Sequence, residues 1–343
     1  MDTTKYSQNV LNILAALKCK GIGRAWIIDN YQPNIPLEEL SKKLREKDGG
    51  FDFFSTMKEV QEVLDNSKED IKYTALGDED FPTNRFAPQM KKKDFPVFLA
   101  YEGDLKLLSR DNFNIAVIGL LEPTLEIQAL EKAILKEILE CNATIVSGLA
   151  LGCDSIAHES VSNQDCTIAV LPSTLDKILP KENRELANEI VNNKNGLLIS
   201  EYYEEAKNTY DLVGRYIERD RLQALFSDMV ILTASYSEQD SKRDKRKDSG
   251  SRHAMNKARE YGIKRAVMYD RAIFDDERFN LNRELIAMEA RNGKLRLDEA
   301  SILDFNKSEA NRDFKIISKR NAKSIIESLK KWKNKQGKKC LIV

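Results

Sequence analysis

The stretch Thr144-Ile-Val-Ser-Gly-Leu-Ala-Leu-Gly-Cys-Asp-Ser-Ile-Ala-His158 decides how this chain folds. Its β-branched, apolar start predicts a buried strand, Gly148 and Gly152 break it into a turn, and a helix follows. That order leaves free backbone N–H groups at a helix N-terminus, where the dipole is positive and an anion can sit. Both glycines let the backbone come close to a ligand, Ser147 adds a hydroxyl, and Asp154 is placed to cap the helix. A plain strand-to-helix turn needs one glycine, so the full set reads as a ligand site. His158, one turn further on, reads as a packed histidine rather than a ligand contact.

Working outward, strands alternate with helices. Strands are predicted at 115–118, 144–146, 167–171, 196–199, 229–232 and 265–268, with helices at 125–141, 183–193, 217–226 and 251–261 between them. This βαβ alternation predicts an α/β fold: a Rossmann-like parallel sheet with helices on both faces, over residues 111–310. Ligands of such sheets bind at the carboxyl ends of the strands, here Gly119, Ser147, Pro172, Ser200-Glu201 and Thr233-Ala234. Residues 1–70 read as a small helical domain. Val10, Leu11, Ile13, Leu14 and Leu17 form an apolar stripe, and further helices are expected at 24–30, 37–46 and 56–66. The turn Lys20-Gly-Ile-Gly23 is open to two readings, a helix-hairpin-helix that holds a DNA phosphate or a glycine C-cap. Residues 71–110 read as a connector of short apolar strands punctuated by Gly-Asp and Phe-Pro turns, and 311–343 as a basic helical tail.

Composition narrows the class. The chain has 343 residues, 41% of them hydrophobic, and its 55 basic and 55 acidic residues cancel, so any basic patch is local. Five scattered cysteines without a C-x-x-C fit reduced thiols in a cytosol, and two histidines are too few for an imidazole-rich metal centre. No apolar run is long enough to span a membrane, and MDTTKYSQNV lacks the core of a signal peptide. The terminal Cys340-Leu-Ile-Val343 matches a prenylation box only superficially.

Further on, Arg219 and Arg221 flank Asp220 near a predicted helix start, suited either to a phosphate or to pairing with Glu218, Asp220 or Glu201. Ser249-Gly250-Ser251 opens a helix and offers a second anion cradle or an ordinary N-cap. The run Lys242-Arg243-Asp-Lys245-Arg-Lys247 reads as a loop at the ligand end of the sheet, either contacting phosphates or solvated. Tyr202, Tyr203, Tyr210, Tyr216 and Tyr236 lie in the same region, where tyrosines can stack on bases.

In order along the chain stand GDEDFP (77–82), FPVFLAYEGDL (95–105), IAVIG (115–119), SGLALGCDSIAH (147–158) and TIAVLPSTLDKILPKEN (167–183). GLLISEY (196–202), RDRLQALFSDMVILTA (219–234), SGSRHAMNKAREYG (249–262) and NRELI (282–286) follow. Together these resemble the DprA/Smf DNA-processing family, within the Smf/DprA–LOG group of Rossmann-like folds. The resemblance implies a cytoplasmic, non-enzymatic protein that binds single-stranded DNA without metal or cofactor, acts as a homodimer and delivers strands to the RecA recombinase in natural transformation. The residues agree, since no nucleophile, base and orienter set stands out.

Two departures matter. Leu121 and Leu151 occupy positions where the family carries arginines, each worth roughly 1.5–3 kcal/mol as a desolvated phosphate contact. The family's C-terminal winged helix is also not evident. The alternative is therefore a nucleotide-ligand sensor of the same fold group, in bacterial defence. A phosphoribohydrolase like the LOG enzymes is disfavoured, because their P-G-G-x-G-T-x-x-E signature is missing.

Overall fold

The computed structural model describes residues 5–290 and 295–340. Four helices come first: α1 (Gln8–Lys18), α2 (Arg24–Asn30), α3 (Leu37–Arg45) and α4 (Phe53–Asp65). The glycine at the end of α1 has the left-handed backbone of a helix stop, with φ of 84° at Gly21. Arg24, at the start of α2, pairs with Glu218 (2.5 Å) and approaches Glu201 (3.5 Å). It is thereby engaged in docking these helices onto the rest of the chain.

Then follow β1 (Lys72–Ala75), β2 (Phe98–Gly103), β3 (Asn114–Ile118), α5 (Leu125–Leu139), β4 (Thr144–Ser147), α6 (Cys153–Glu159), β5 (Thr167–Leu171), α7 (Arg184–Asn192) and β6 (Leu197–Ser200). The chain continues with α8 (Thr209–Leu225), β7 (Met229–Leu232), α9 (Glu238–Arg243), α10 (Ser251–Glu260), β8 (Lys264–Met268), α11 (Asn280–Glu289), α12 (Glu299–Lys307), β9 (Phe314–Ile317) and α13 (Ala322–Cys340). Among the described residues these strands make one nine-stranded sheet in the order β1-β2-β6-β5-β4-β3-β7-β8-β9. The seven strands from β6 to β9 in that order run parallel, and β1 and β2 add antiparallel at one edge. The expected Rossmann-like sheet is present.

Packing crosses the boundaries drawn from composition. The segment expected as a connector supplies β1 and β2 to the sheet, and the segment expected as a helical tail supplies β9. Ile13, Leu14 and Leu44 of the N-terminal helices share one core with Phe98, Ala169 and Leu171 of the sheet. The other face of the sheet buries Ile134, Ile138 and Leu222. The lysine-rich α13 is anchored rather than free: Lys333 pairs with Asp228 at 2.6 Å, and Arg85 reaches the same carboxylate at 3.2 Å. The short strands expected in 71–110 are β1 and β2, and their place at the sheet edge depends on β6, a partner far away in sequence.

Among the described residues Cys19, Cys141, Cys153 and Cys166 are free thiols. No helix among the described residues is long and apolar enough to cross a membrane. The terminal Cys-Leu-Ile-Val motif extends outside the described residues.

Candidate functional site

Sheet order reverses around β3, which has β4 on one side and β7 on the other. A crevice forms beyond the carboxyl ends of strands at such a switch point. Here it is a cleft of ≈ 690 Å³, reached by the turns after β3 and β4, by α8 and by residues 241–253. Gly119, Asp154, Arg219, Lys245, Gly250 and Ser251 all line it.

The glycine turn after β4 has the shape expected of an anion cradle, but it is filled by its own side chain. Gly148 N and Ala150 N both donate to Asp154 Oδ2, at 3.1 and 3.3 Å. Cys153 N, at the start of α6, donates to Leu120 O at 2.9 Å. Ser147 is fully buried and donates to Val117 O at 2.6 Å, so its hydroxyl ties β4 to β3 instead of facing a ligand. Gly152 has φ of 73°, and a Cβ there would meet Leu121 O at 2.3 Å. The glycine therefore allows the two turns to touch. Leu149 adopts φ of 56°, held by Asn183, whose amide donates to Leu149 O (2.8 Å), Ala150 O (3.1 Å) and Ser155 Oγ (2.9 Å).

Arg219 lies over this turn. Its Nη1 stands 3.8 Å from Asp154, its Nε 3.6 Å from Asp220, and its side chain is 6% exposed. With its amide oxygen facing the donors, Gln223 accepts from Arg219 Nη1 (2.6 Å) and Gly148 N (2.8 Å). Burial raises the Asp154 carboxyl above its ordinary range, against the opposing pull of Arg219. Asp220 is pushed up to about 7, by burial first and then, against the pull of Arg219, by its neighbours Asp154 and Asp248. The base of the cleft is thus a self-compensating cluster of acids around one guanidinium.

Arg221 is a correction to the paired-arginine reading. Residues i and i+2 of a helix point in different directions, and Arg221 faces inward. Its guanidinium pairs with Glu201 at 2.6 Å, and its side chain is 2% exposed. It fastens α8 to the end of β6 and cannot reach the cleft. α8 itself starts eight residues earlier than predicted, at Thr209, because Asn208 caps it by accepting from Asp211 N.

The second Ser-Gly segment also satisfies itself in part. Ser249 is buried and accepts from Arg252 Nη1 (2.5 Å), Gly250 N donates to Asp248 (2.9 Å), and Ser251 donates to Gly119 O (3.1 Å). Ser249 is accordingly a brace for Arg252, not a ligand contact. The basic run expected as a loop begins inside α9, where Lys242 pairs with Glu238 at 3.1 Å. Arg246 pairs with Asp244 (2.9 Å) and Lys247 with Glu277 (2.7 Å). Among the described residues neither Arg243 nor Lys245 makes an ion pair; of the two, Lys245 lines the cleft.

His158 is fully buried, as the packed reading had it: Thr167 Oγ1 donates to Ile145 O (3.1 Å) and so accepts from His158 Nδ1 (2.7 Å). Burial pushes its imidazole down to about 3, so it stays neutral. Of the five tyrosines, Tyr216 lines the cleft. Tyr202 packs under Arg215 at 4.2 Å and Tyr236 under Lys247 at 5.4 Å.

Residues not singled out from the sequence complete the cleft: Val213 and Ile217 of α8, Asp248, Arg252 and His253. Val213 lies before the helix expected from 217, so the two β-branched residues stand one turn apart only because α8 begins at Thr209. Their exposure likewise depends on where α8 lies.

The fold defines a Rossmann-like α/β protein with a cleft at the switch point of its sheet. The chain belongs to the family of DNA recombination-mediator protein A, whose model matches residues 72–299. It is 35% identical over 115 residues to DNA processing protein DprA of Bacillus subtilis (strain 168), a match spanning 33% of this chain and 38% of that protein. In fold it is similar to DprA of Streptococcus pneumoniae, with a TM-score of 0.62 at 22% identity over 86% of this chain and 97% of that one. It is also similar to DprA of Helicobacter pylori, with a TM-score of 0.51 at 28% identity over 69% of this chain and 97% of that one. The H. pylori protein was described for its single-stranded DNA binding mode.

Proposed function

We propose that the protein is a non-enzymatic, cytoplasmic single-stranded DNA-binding protein that takes the strand in the switch-point cleft. Family membership sets the class, and the single supporting observation in the structure is the cationic edge of that cleft. Lys245, Arg246 and Arg252 stand together there at the carboxyl ends of the strands. Delivery of bound strands to RecA and action as a homodimer belong to the same proposal, by analogy with the family. The acids at the base of the cleft, Asp154 and Asp220, face the single guanidinium of Arg219, which supports work by binding rather than by a nucleophile and base.

The test is fluorescence anisotropy with a labelled dT oligonucleotide at low and at physiological salt. Each neutralised phosphate releases counterions, so affinity should fall steeply with salt. Lys245→Ala/Arg246→Ala should weaken binding and flatten that slope by about one to two. These residues suit the test because they are exposed, whereas Arg221 belongs to the core. No binding at low salt would overturn the reading. A rise in melting temperature with mononucleotides instead would favour the small-ligand sensor.

A further inference from the structure

We propose that binding in the cleft is coupled to proton uptake. Two acids held at and beneath its base, Asp220 and Glu131, take protons from solvent when an anionic strand arrives. This rests on the reading of the cleft as a single-stranded DNA site.

The placement of the acids carries it. Asp220, on α8, lines the cleft together with the cations Lys245, Arg246 and Arg252. Its side chain is 15% exposed and, among the described residues, makes no hydrogen bond, only the 3.6 Å approach of Arg219 Nε. Glu131 lies one layer below. A Cβ on Gly119, in the cleft lining, would stand 2.6 Å from Cys153 Sγ and 3.1 Å from Thr233 Cβ. Those two side chains are what the unpartnered, fully buried Glu131 carboxyl faces. A carboxylate kept from water without donors is unstable, so such a group holds its proton.

The charges around the two acids do not relieve this. Asp220 faces Arg219 on its own helix, Asp154 in α6, Asp248 before α10 and Arg252 within it. Glu131 faces Lys132 on α5, and Cys153 and Asp154 on α6. Burial and the nearby Glu131 keep the Cys153 thiol protonated. Arg219 is already shared between Asp154 and Asp220. Burial therefore sets Asp220 at about 7 and Glu131 at about 8, where both change charge near neutrality. His253, also in the lining, is held below its ordinary 6.5 by burial and by Arg252, so it is mostly neutral from that pH upward.

A phosphate entering the cleft brings like charge toward these acids and favours their protonated forms. By linkage, affinity then falls as pH rises and the acids ionise.

The experiment titrates the full chain with a dT oligonucleotide calorimetrically, in two buffers of different ionisation enthalpy at equal pH and ionic strength. Anisotropy follows affinity from about pH 6.5 to 8.5, a range in which neither thymine nor the phosphodiester titrates. The expected result is net proton uptake, with Kd rising about threefold to tenfold across that range. Asp220→Asn cannot ionise, so it should take up fewer protons and flatten the profile. Glu131→Gln should remove the part of the rise nearest pH 8. Circular dichroism would verify the fold of both, and the wild-type proton count stands without either.

No net proton uptake and a flat wild-type profile would overturn the inference while leaving the proposed function standing. So would uptake that both variants retain in full, which would assign it to other groups, His253 first. If no strand binds at any pH, the proposed function falls and this inference with it.

Discussion

The Arg219 guanidinium lies directly across Gly148, so that a Cβ at position 148 would stand 1.4 Å from Nη1. The glycine serves an internal contact between α8 and the turn after β4, where an anion-cradle reading assigns it to a ligand. Gly148→Ala would force Arg219 out of its place beside Asp154. Overpacking of this kind costs about 1–3 kcal/mol, so urea denaturation should show a loss in that range. Wild-type stability in this variant would mean that Arg219 can swing away freely.

Arg221 and the 245–246 pair should behave in opposite ways. Arg221→Ala leaves Glu201 buried with only Arg24, at 3.5 Å, to face it. Breaking a buried pair from one side costs about 3–5 kcal/mol. Lys245→Ala/Arg246→Ala, by contrast, should change stability by no more than about 0.5 kcal/mol. Thermal melts of the two variants side by side would separate the structural cation from the exposed ones.

Glu131 of α5 is fully buried, and its two carboxyl oxygens face Cys153 and Thr233 without a hydrogen bond of good geometry. Burial pushes its pKa up to about 8 from an ordinary 4.5. The folded protein therefore keeps a proton that the unfolded chain releases. This contribution is fully present below the unfolded value and is lost as pH rises through the folded one. Stability should decline between pH 4.5 and about 8, and Glu131→Gln should remove that part of the decline. Parallel pH profiles for the two proteins would contradict this assignment.

Asp228 sits between Arg85 and Lys333, joining the segment before β2, the start of β7 and α13. Asp228→Asn keeps the shape but leaves two cations, 4% and 13% exposed, without their counter-charge. We expect a loss of about 3–5 kcal/mol in chemical denaturation. We also expect faster hydrogen exchange in α13, whose lysine anchors here. A neutral outcome would show that apolar packing against α5 holds the helix by itself.

Local chemistry was enough for much of this molecule. β-Branched runs, glycine turns and amphipathic spacing determined the strands at 167–171 and 229–232, the helix at 24–30 and the turn at 148–152, because those choices depend on neighbours in sequence. The order of the motifs likewise carried the family, which the match over 72–299 bears out. Tertiary structure alone decided which charged side chains face the cleft. Arg219 and Arg221 are two residues apart on one helix, yet the first covers the Gly148 turn and the second is locked to Glu201. Asp154, placed by sequence as a helix cap, instead accepts the N–H groups of the turn that precedes it. A side chain's partner is set by what the fold brings to it from far along the chain. The sheet edges follow the same rule: short strands were expected within 71–110, but that β1 and β2 join this sheet, and that β9 forms in the segment expected as a helical tail, was decided by tertiary structure, because a strand's place in a sheet belongs to the pair, not to either segment.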